Sequence, residues 1–165
     1  MMATSARSTP PSDSVDAVTD ALLTASRLLM AISARSIAQV DDTITLPQFR
    51  TLVILATQGP SNLATLAQQL DVQPSTATRM VERLVSAELL TRQPNPQSRR
   101  EQIVDLTEHG RRVVAEVTAR RRAEIARVVQ TMPAAHRQGL VRALTAFTTA
   151  GEECGAAKGL QAYPL

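Results

Sequence analysis

The sequence predicts a mainly α-helical fold carrying one small β ribbon, and three observations lead there. Apolar residues recur at spacings of three and four through most of the chain from Ser14 onward, the period of one helix face. A single stretch, TRQPNPQSRREQIVDL after Leu90, breaks that period and holds two short extended runs around a Pro/Asn/Ser/Arg tip. Phe49, Phe147 and Tyr163 are the only aromatics, so the core is built from Leu, Val, Ile and Ala. At 165 residues the chain is one domain's worth of material, and 44% hydrophobic with 20% charged residues is a globular balance.

The first helix runs from Ser14 to about Ala38, where Val15, Val18, Leu22, Ala25, Leu29 and Ile32 form a stripe that Leu23, Leu28, Met30 and Ile37 widen. A helix apolar over that much of its circumference needs neighbours on two sides, and one of them is expected to be a second subunit. Thr45 and Gln48 have capping-box spacing, Pro47 suits a first helical turn, and Gly59-Pro60 closes a second, largely buried helix. Asn62 caps a short third helix with Leu63, Leu66, Ala67 and Leu70 on one face. Asp71-Val72-Gln73 then makes a tight turn.

Pro74 opens a fourth helix, PSTATRMVERLVSAELL, with Ala77, Val81 and Leu84 turned to the core. Ser75, Arg79, Glu82 and Ser86 fall on the opposite side, with Thr76 and Arg83 on its shoulder. In the ribbon that follows, Pro94 and Pro96 suit an edge or a tip. Thr107 caps a fifth helix with Val114, Val117, Ile125 and Val128 along one side, which ends at Met132-Pro133. Pro133 starts a sixth helix, with Leu140, Leu144 and Phe147, stopped at Gly151.

Charge narrows the function. Of 18 basic residues, 17 are Arg and one is Lys158, with a formal net charge of +3. Residues 1–46 carry three Arg against five Asp, whereas residues 72–122 carry ten Arg against six acids, so the middle of the chain is the part that faces anions. Lone Cys154 excludes an internal disulfide and a cysteine-based metal site, and suits a reducing cytoplasm. His109 and His136 lack an acid, Cys or second His at ligand spacing, so no metal and no catalytic triad is expected; no cofactor is implied, and the chain does not read as an enzyme. Unbroken apolar runs fall far short of a membrane span, and the start MMATSARSTPPSDS has no signal-peptide core. The expectation is a cytoplasmic protein.

Helix, tight turn, helix with a polar outer N-terminal face, then a ribbon with a basic tip: in that order these describe a winged helix-turn-helix. A helix fills the DNA major groove, where Ser, Thr and Arg reach base edges, while a thin basic hairpin follows the backbone or minor groove. The string from Leu46 to Gly110 resembles the core motif run of the MarR-type (multiple antibiotic resistance regulator) transcription factors. The resemblance implies a homodimer binding double-stranded DNA at a pseudo-palindromic operator, with flanking helices for dimerisation.

By position, the resemblance places Gln73, Ser75, Thr76, Thr78, Arg79 and Arg83 on the recognition helix, and Arg92, Arg99 and Arg100 in the wing. Two departures stand out. Ser98 precedes Arg99 and Arg100 where the family usually has an acid, which implies a more mobile wing, and Gln73 replaces the commoner Asp at the helix cap. Arg111, Arg112 and Arg120 to Arg122 read as helix-surface charges or intersubunit partners. The resemblance also implies a small phenolic or anionic effector bound between the dimerisation helices and the winged domain, with Arg27 and Arg50 as candidate contacts.

The expected organisation is a disordered arm at 1–12, an N-terminal dimerisation helix and linker at 13–44, the winged DNA-binding domain at 45–107, C-terminal dimerisation helices at 108–151 and a loose tail at 152–165. The competing function is a helical interaction module that never touches DNA.

Overall fold

In the computed structural model, which describes residues 14–96 and 98–154 without the side chains of Arg99 and Arg100, the helix boundaries fall where local capping puts them. The expected arm at 1–12 and nearly all of the expected tail lie outside the described residues. Ser14 accepts from the Ala17 amide and starts α1 (Val15–Ala38). Thr45 and Gln48 form a reciprocal capping box at the start of α2 (Leu46–Gln58), and Gly59, at φ 83°, ends that helix. The Asn62 side chain caps α3 (Leu63–Leu70) by accepting from the Thr65 amide at 2.8 Å.

Two left-handed residues turn the chain through the middle of the fold. Asp71, at φ 56°, ends α3, and the Val72 amide reaches back to the Ala67 carbonyl at 3.0 Å. The helix that follows, α4 (Pro74–Ser86), is shorter than the sequence predicts. It stops because Glu88 adopts φ 58° and the Leu89 amide bonds to the Leu84 carbonyl at 2.9 Å, a Schellman closure that also buries Leu89 against the helix end. Expecting helix through Leu90 was therefore wrong by one turn.

The ribbon, β2 (Leu90–Asn95) and β3 (Ser98–Leu106), is antiparallel, with Leu90 opposite Leu106 and Arg92 opposite Val104. A third strand joins it. Ser61 and Asn62 form β1 and pair with Val104 and Ile103, giving the order β1-β3-β2. Two residues carry no period to recognise, so the sequence shows no trace of this strand. Pro94 sits on the edge strand β2, just before a register shift at Asn95.

Thr107 caps α5 (Glu108–Thr131) through the Gly110 amide. The predicted sixth helix is interrupted: α6 (Ala134–Arg137) gives way at Gln138-Gly139 to α7 (Leu140–Glu153). Gly151 does not stop α7, which keeps helical bonding until the Cys154 amide meets the Ala150 carbonyl at 3.1 Å.

The core surrounds α2, whose Phe49, Leu52, Val53, Ile54 and Leu55 are all buried among Leu66, Val81, Leu84, Val104, Leu106 and Val117. The two ends of the chain behave differently. No residue of α7 is buried, and Val141 and Phe147 are 77% and 55% exposed. Val15, Leu23, Leu28 and Met30 are likewise exposed on α1, which by length and composition alone is apolar enough to cross a membrane.

Candidate nucleic-acid interface

Because Ala77, Val81 and Leu84 anchor α4 in the core, the 100° turn per residue leaves Ser75, Thr76, Arg79, Glu82, Arg83 and Ser86 exposed on its other side. Gln73 is exposed at the N-cap and its side chain makes no cap bond; Pro74 has no amide to offer, and the Thr76 amide bonds to the Gln73 carbonyl at 2.9 Å. The Thr78 hydroxyl donates to the Pro74 carbonyl at 2.9 Å and sits half-buried on the shoulder of this face. Arg83, in the last turn, borders a cleft of about 240 Å³ shared with Thr45, Gln48 and Leu89.

The approach of α3 to α4 is held from behind. Arg50, on α2, donates to the carbonyls of Leu70 and Gln69 at 3.5 and 3.4 Å, where the negative end of the α3 dipole and its unpaired carbonyls lie. Gln69 in turn donates to the Gln58 side chain. Arg50, which the resemblance implies as an effector contact, has its guanidinium directed to these carbonyls, a pairing between residues twenty apart that no local pattern announces. Arg27, the other effector candidate, is exposed on α1. The groove between α1 and α5, about 400 Å³, is lined by Leu28, Ile32, Arg35, Glu124, Arg127, Val128 and Thr131, and by neither candidate.

In the wing, Arg99 and Arg100 occupy β3 beside the tip, and Arg92 occupies β2. Arg92 shares the sheet face of Leu90, Val104 and Leu106, all buried, so its stem is turned inward and its Nε and Nη2 are shut off from solvent with no hydrogen-bond partner. Glu101, across the ribbon, accepts from Asn95 Nδ2 at 3.1 Å and so ties the two strands near the tip by another route than the acid missing at position 98. At the ribbon's root Arg111 donates to Asp105 at 3.4 Å and to the Leu106 carbonyl at 3.0 Å, fastening α5 to the wing. Arg112 and Arg120 pair with Glu108 and Glu116 on the helix surface. Among the described residues, no cluster of three His, Cys, Asp or Glu side chains could hold a metal ion.

The outcome is an exposed helix face of hydroxyl, amide and guanidinium groups beside a thin ribbon, the shape that fits a major groove and its flanking backbone. Comparisons with known proteins agree with this geometry. The model of the MarR family matches residues 44–102. The crystal structure of RV1404 from Mycobacterium tuberculosis is 66% identical, with a TM-score of 0.80 over 87% of this chain and 98% of that one. The HTH-type transcriptional repressor NicR of Pseudomonas putida is 43% identical over 70 residues, and the match spans 42% of this chain and 44% of NicR. At 18% identity and a TM-score of 0.63, over 81% of this chain and 96% of that one, a mutant of S. aureus MepR bound to an oligodeoxyribonucleotide shares the fold.

Proposed function

The chain belongs to the MarR family, and on that premise we propose that it is a transcriptional regulator that binds double-stranded DNA sequence-specifically as a cytoplasmic homodimer and represses by occupying an operator. The observation that carries this reading is the two-sidedness of α4: one face is locked into the core by Ala77, Val81 and Leu84, and the other offers Ser75, Thr76 and Arg79 to solvent at the helix N-terminus. A recognition helix needs both properties, since base readout demands a rigid mount and free polar tips.

The dimer follows from the chain's ends. Aliphatic and aromatic side chains of α1 and α7 that stand in water in the single chain, Leu23, Met30, Leu144 and Phe147 among them, supply the apolar surface that a twofold partner covers. The same surface accounts for the hydropathy of α1 without a membrane. Two copies would then hold their α4 helices in successive major grooves about 34 Å apart. Gln73, Ser75, Thr76, Thr78 and Arg79 are assigned to base edges and nearby phosphates, and Arg83, Arg99 and Arg100 to the backbone, while the inward-turned Arg92 is given no contact. Release by a small phenolic or anionic effector completes the proposed cycle.

Selection of genomic fragments by the full-length protein, followed by footprinting, tests this reading. A protected palindrome is expected, with affinity falling on the order of 10³-fold between about 50 and 200 mM salt if six or more phosphates are neutralised. Absence of salt-dependent duplex binding would favour the helical interaction module instead.

A further inference from the structure

We propose that Arg50 of α2 is a positioning residue for sequence-specific DNA recognition, fixing where α4 stands without touching DNA itself; this rests on the regulator reading above. An α-helix leaves the carbonyls of its last turn without partners inside the helix. At the end of α3 they are taken up by two routes. The Asp71 amide bonds to the Gln68 carbonyl at 3.1 Å and the Val72 amide to the Ala67 carbonyl at 3.0 Å, as the left-handed Asp71 folds the turn back on the helix. The carbonyls that the turn does not reach, those of Gln69 and Leu70, accept from Arg50 Nη2 and Nη1 at 3.4 and 3.5 Å. One planar guanidinium spanning two successive carbonyls is a directional clamp, and its charge opposes the negative end of the α3 dipole.

The clamp has a rigid base. Arg50 is half-buried between Phe49 and Thr51, both buried, on the helix at the centre of the core. A second hold comes from the last residue of α2, where Gln58 Oε1 accepts from Gln69 Nε2. Two separate turns of α2 therefore grip the end of α3.

Position gives the grip its consequence. Only Asp71, Val72 and Gln73 separate it from Pro74, the first residue of α4. The rest of the mount is apolar: Ala77, Val81 and Leu84 press α4 onto the core by contacts with little directional preference, whereas hydrogen bonds fix rotation and axial position. Base readout needs side chains held within about 0.5 Å of their productive place. Phosphates attract charge through a field that varies smoothly along the duplex, so they tolerate a looser mount. Removing the clamp should erode discrimination between sequences before it erodes affinity for DNA in general.

Two full-length variants test this. Arg50→Met keeps an apolar stem without donors, and Arg50→Lys keeps the charge without the fork. Affinity is measured over a series of salt concentrations for the duplex that the parent selects and for a scrambled duplex of equal length, at a temperature where circular dichroism shows each variant folded. Arg50→Met should lower the ratio of selected to scrambled affinity about tenfold, the equivalent of one bidentate base contact, with scrambled affinity and salt slope as in the parent. Arg50→Lys should lose about threefold, and carries the test if Arg50→Met does not fold. Without DNA, the amides between Asp71 and Thr76 should exchange hydrogen faster in the variants than in the parent. An unchanged ratio, or unchanged exchange in this segment, overturns the proposal. So do equal losses on both duplexes: with a salt slope lower by about one, Arg50 is a phosphate contact, and with the slope unchanged it serves stability alone. A parent that binds no duplex rejects the regulator reading, while hydrogen exchange still judges the clamp.

Discussion

Gly110 and Leu89 approach so closely that a Cβ built on Gly110 would lie 2.2 Å from the Leu89 carbonyl oxygen and 2.9 Å from Leu106 Cδ2. The first turn of α5 is thereby pressed onto the corner between α4 and β2. The same corner is tied by Thr107, whose hydroxyl donates to the Glu88 carbonyl at 2.7 Å and accepts from the Gly110 amide at 2.9 Å, while its own amide bonds to the Leu89 carbonyl at 3.0 Å. Helix α4, the β ribbon and the long helix α5 meet at this one point.

Gly110→Ala should therefore be among the most damaging single-methyl changes in the chain. The clash is with backbone, which cannot rotate away, so α5 or the corner must shift, at a cost of about 1–3 kcal/mol or more. Urea unfolding measures the loss. An unchanged midpoint would mean that the junction yields easily.

Glu88 holds φ 58° without glycine's freedom, at the left-handed position of the Schellman closure. Its side chain is exposed, so Glu88→Gly removes strain while disturbing little packing. A gain of about 0.5–1 kcal/mol is expected in thermal or urea unfolding, partly offset by the greater freedom of glycine in the unfolded chain.

Gln73→Asp should separate stability from binding. Aspartate at the N-cap can accept from the amides of Ser75 or Thr76, which the Gln73 side chain does not reach, and places negative charge at the positive end of the helix dipole, for about 0.5–1 kcal/mol of added stability. The same charge would face DNA phosphates. Unfolding midpoint should therefore rise while duplex affinity falls, and a parallel change in both would remove Gln73 from the interface.

Arg79→Ala should cost about 1–3 kcal/mol of binding and relax preference at one base position, whereas Arg99→Ala should weaken all sequences alike and lower the salt slope by about one. Competition binding over single-base operator variants distinguishes the two. Equal patterns would undo the division between helix and wing.

Phe147→Glu, on the exposed face of α7, places a charge where the proposed partner packs. Sedimentation should show the dimer replaced by single chains at micromolar concentration, with operator affinity dropping accordingly. A dimer that persists would move the interface elsewhere.

Much of what neighbours in sequence set was readable in advance, but not the left-handed stop at Glu88, the break at Gln138-Gly139 or the continuation of α7 through Gly151. The caps at Thr45, Asn62 and Thr107 bond to amides three residues on, and the core faces of α2 and α4 follow from a fixed turn of 100° per residue. From these came the order of elements and the exposed face of α4. The tertiary structure alone decided what depends on groups far apart along the chain: Arg50 spent on the carbonyls that end α3, Arg92 turned inward opposite Val104, the two-residue strand that exists because β3 offers it an edge, and the glycine at 110 required by a carbonyl twenty-one residues earlier. Capping and periodicity are contests among adjacent bonds, which residue type settles. Where a long arginine side chain finds its partner, or two backbones touch, is settled only once the core has brought them within reach.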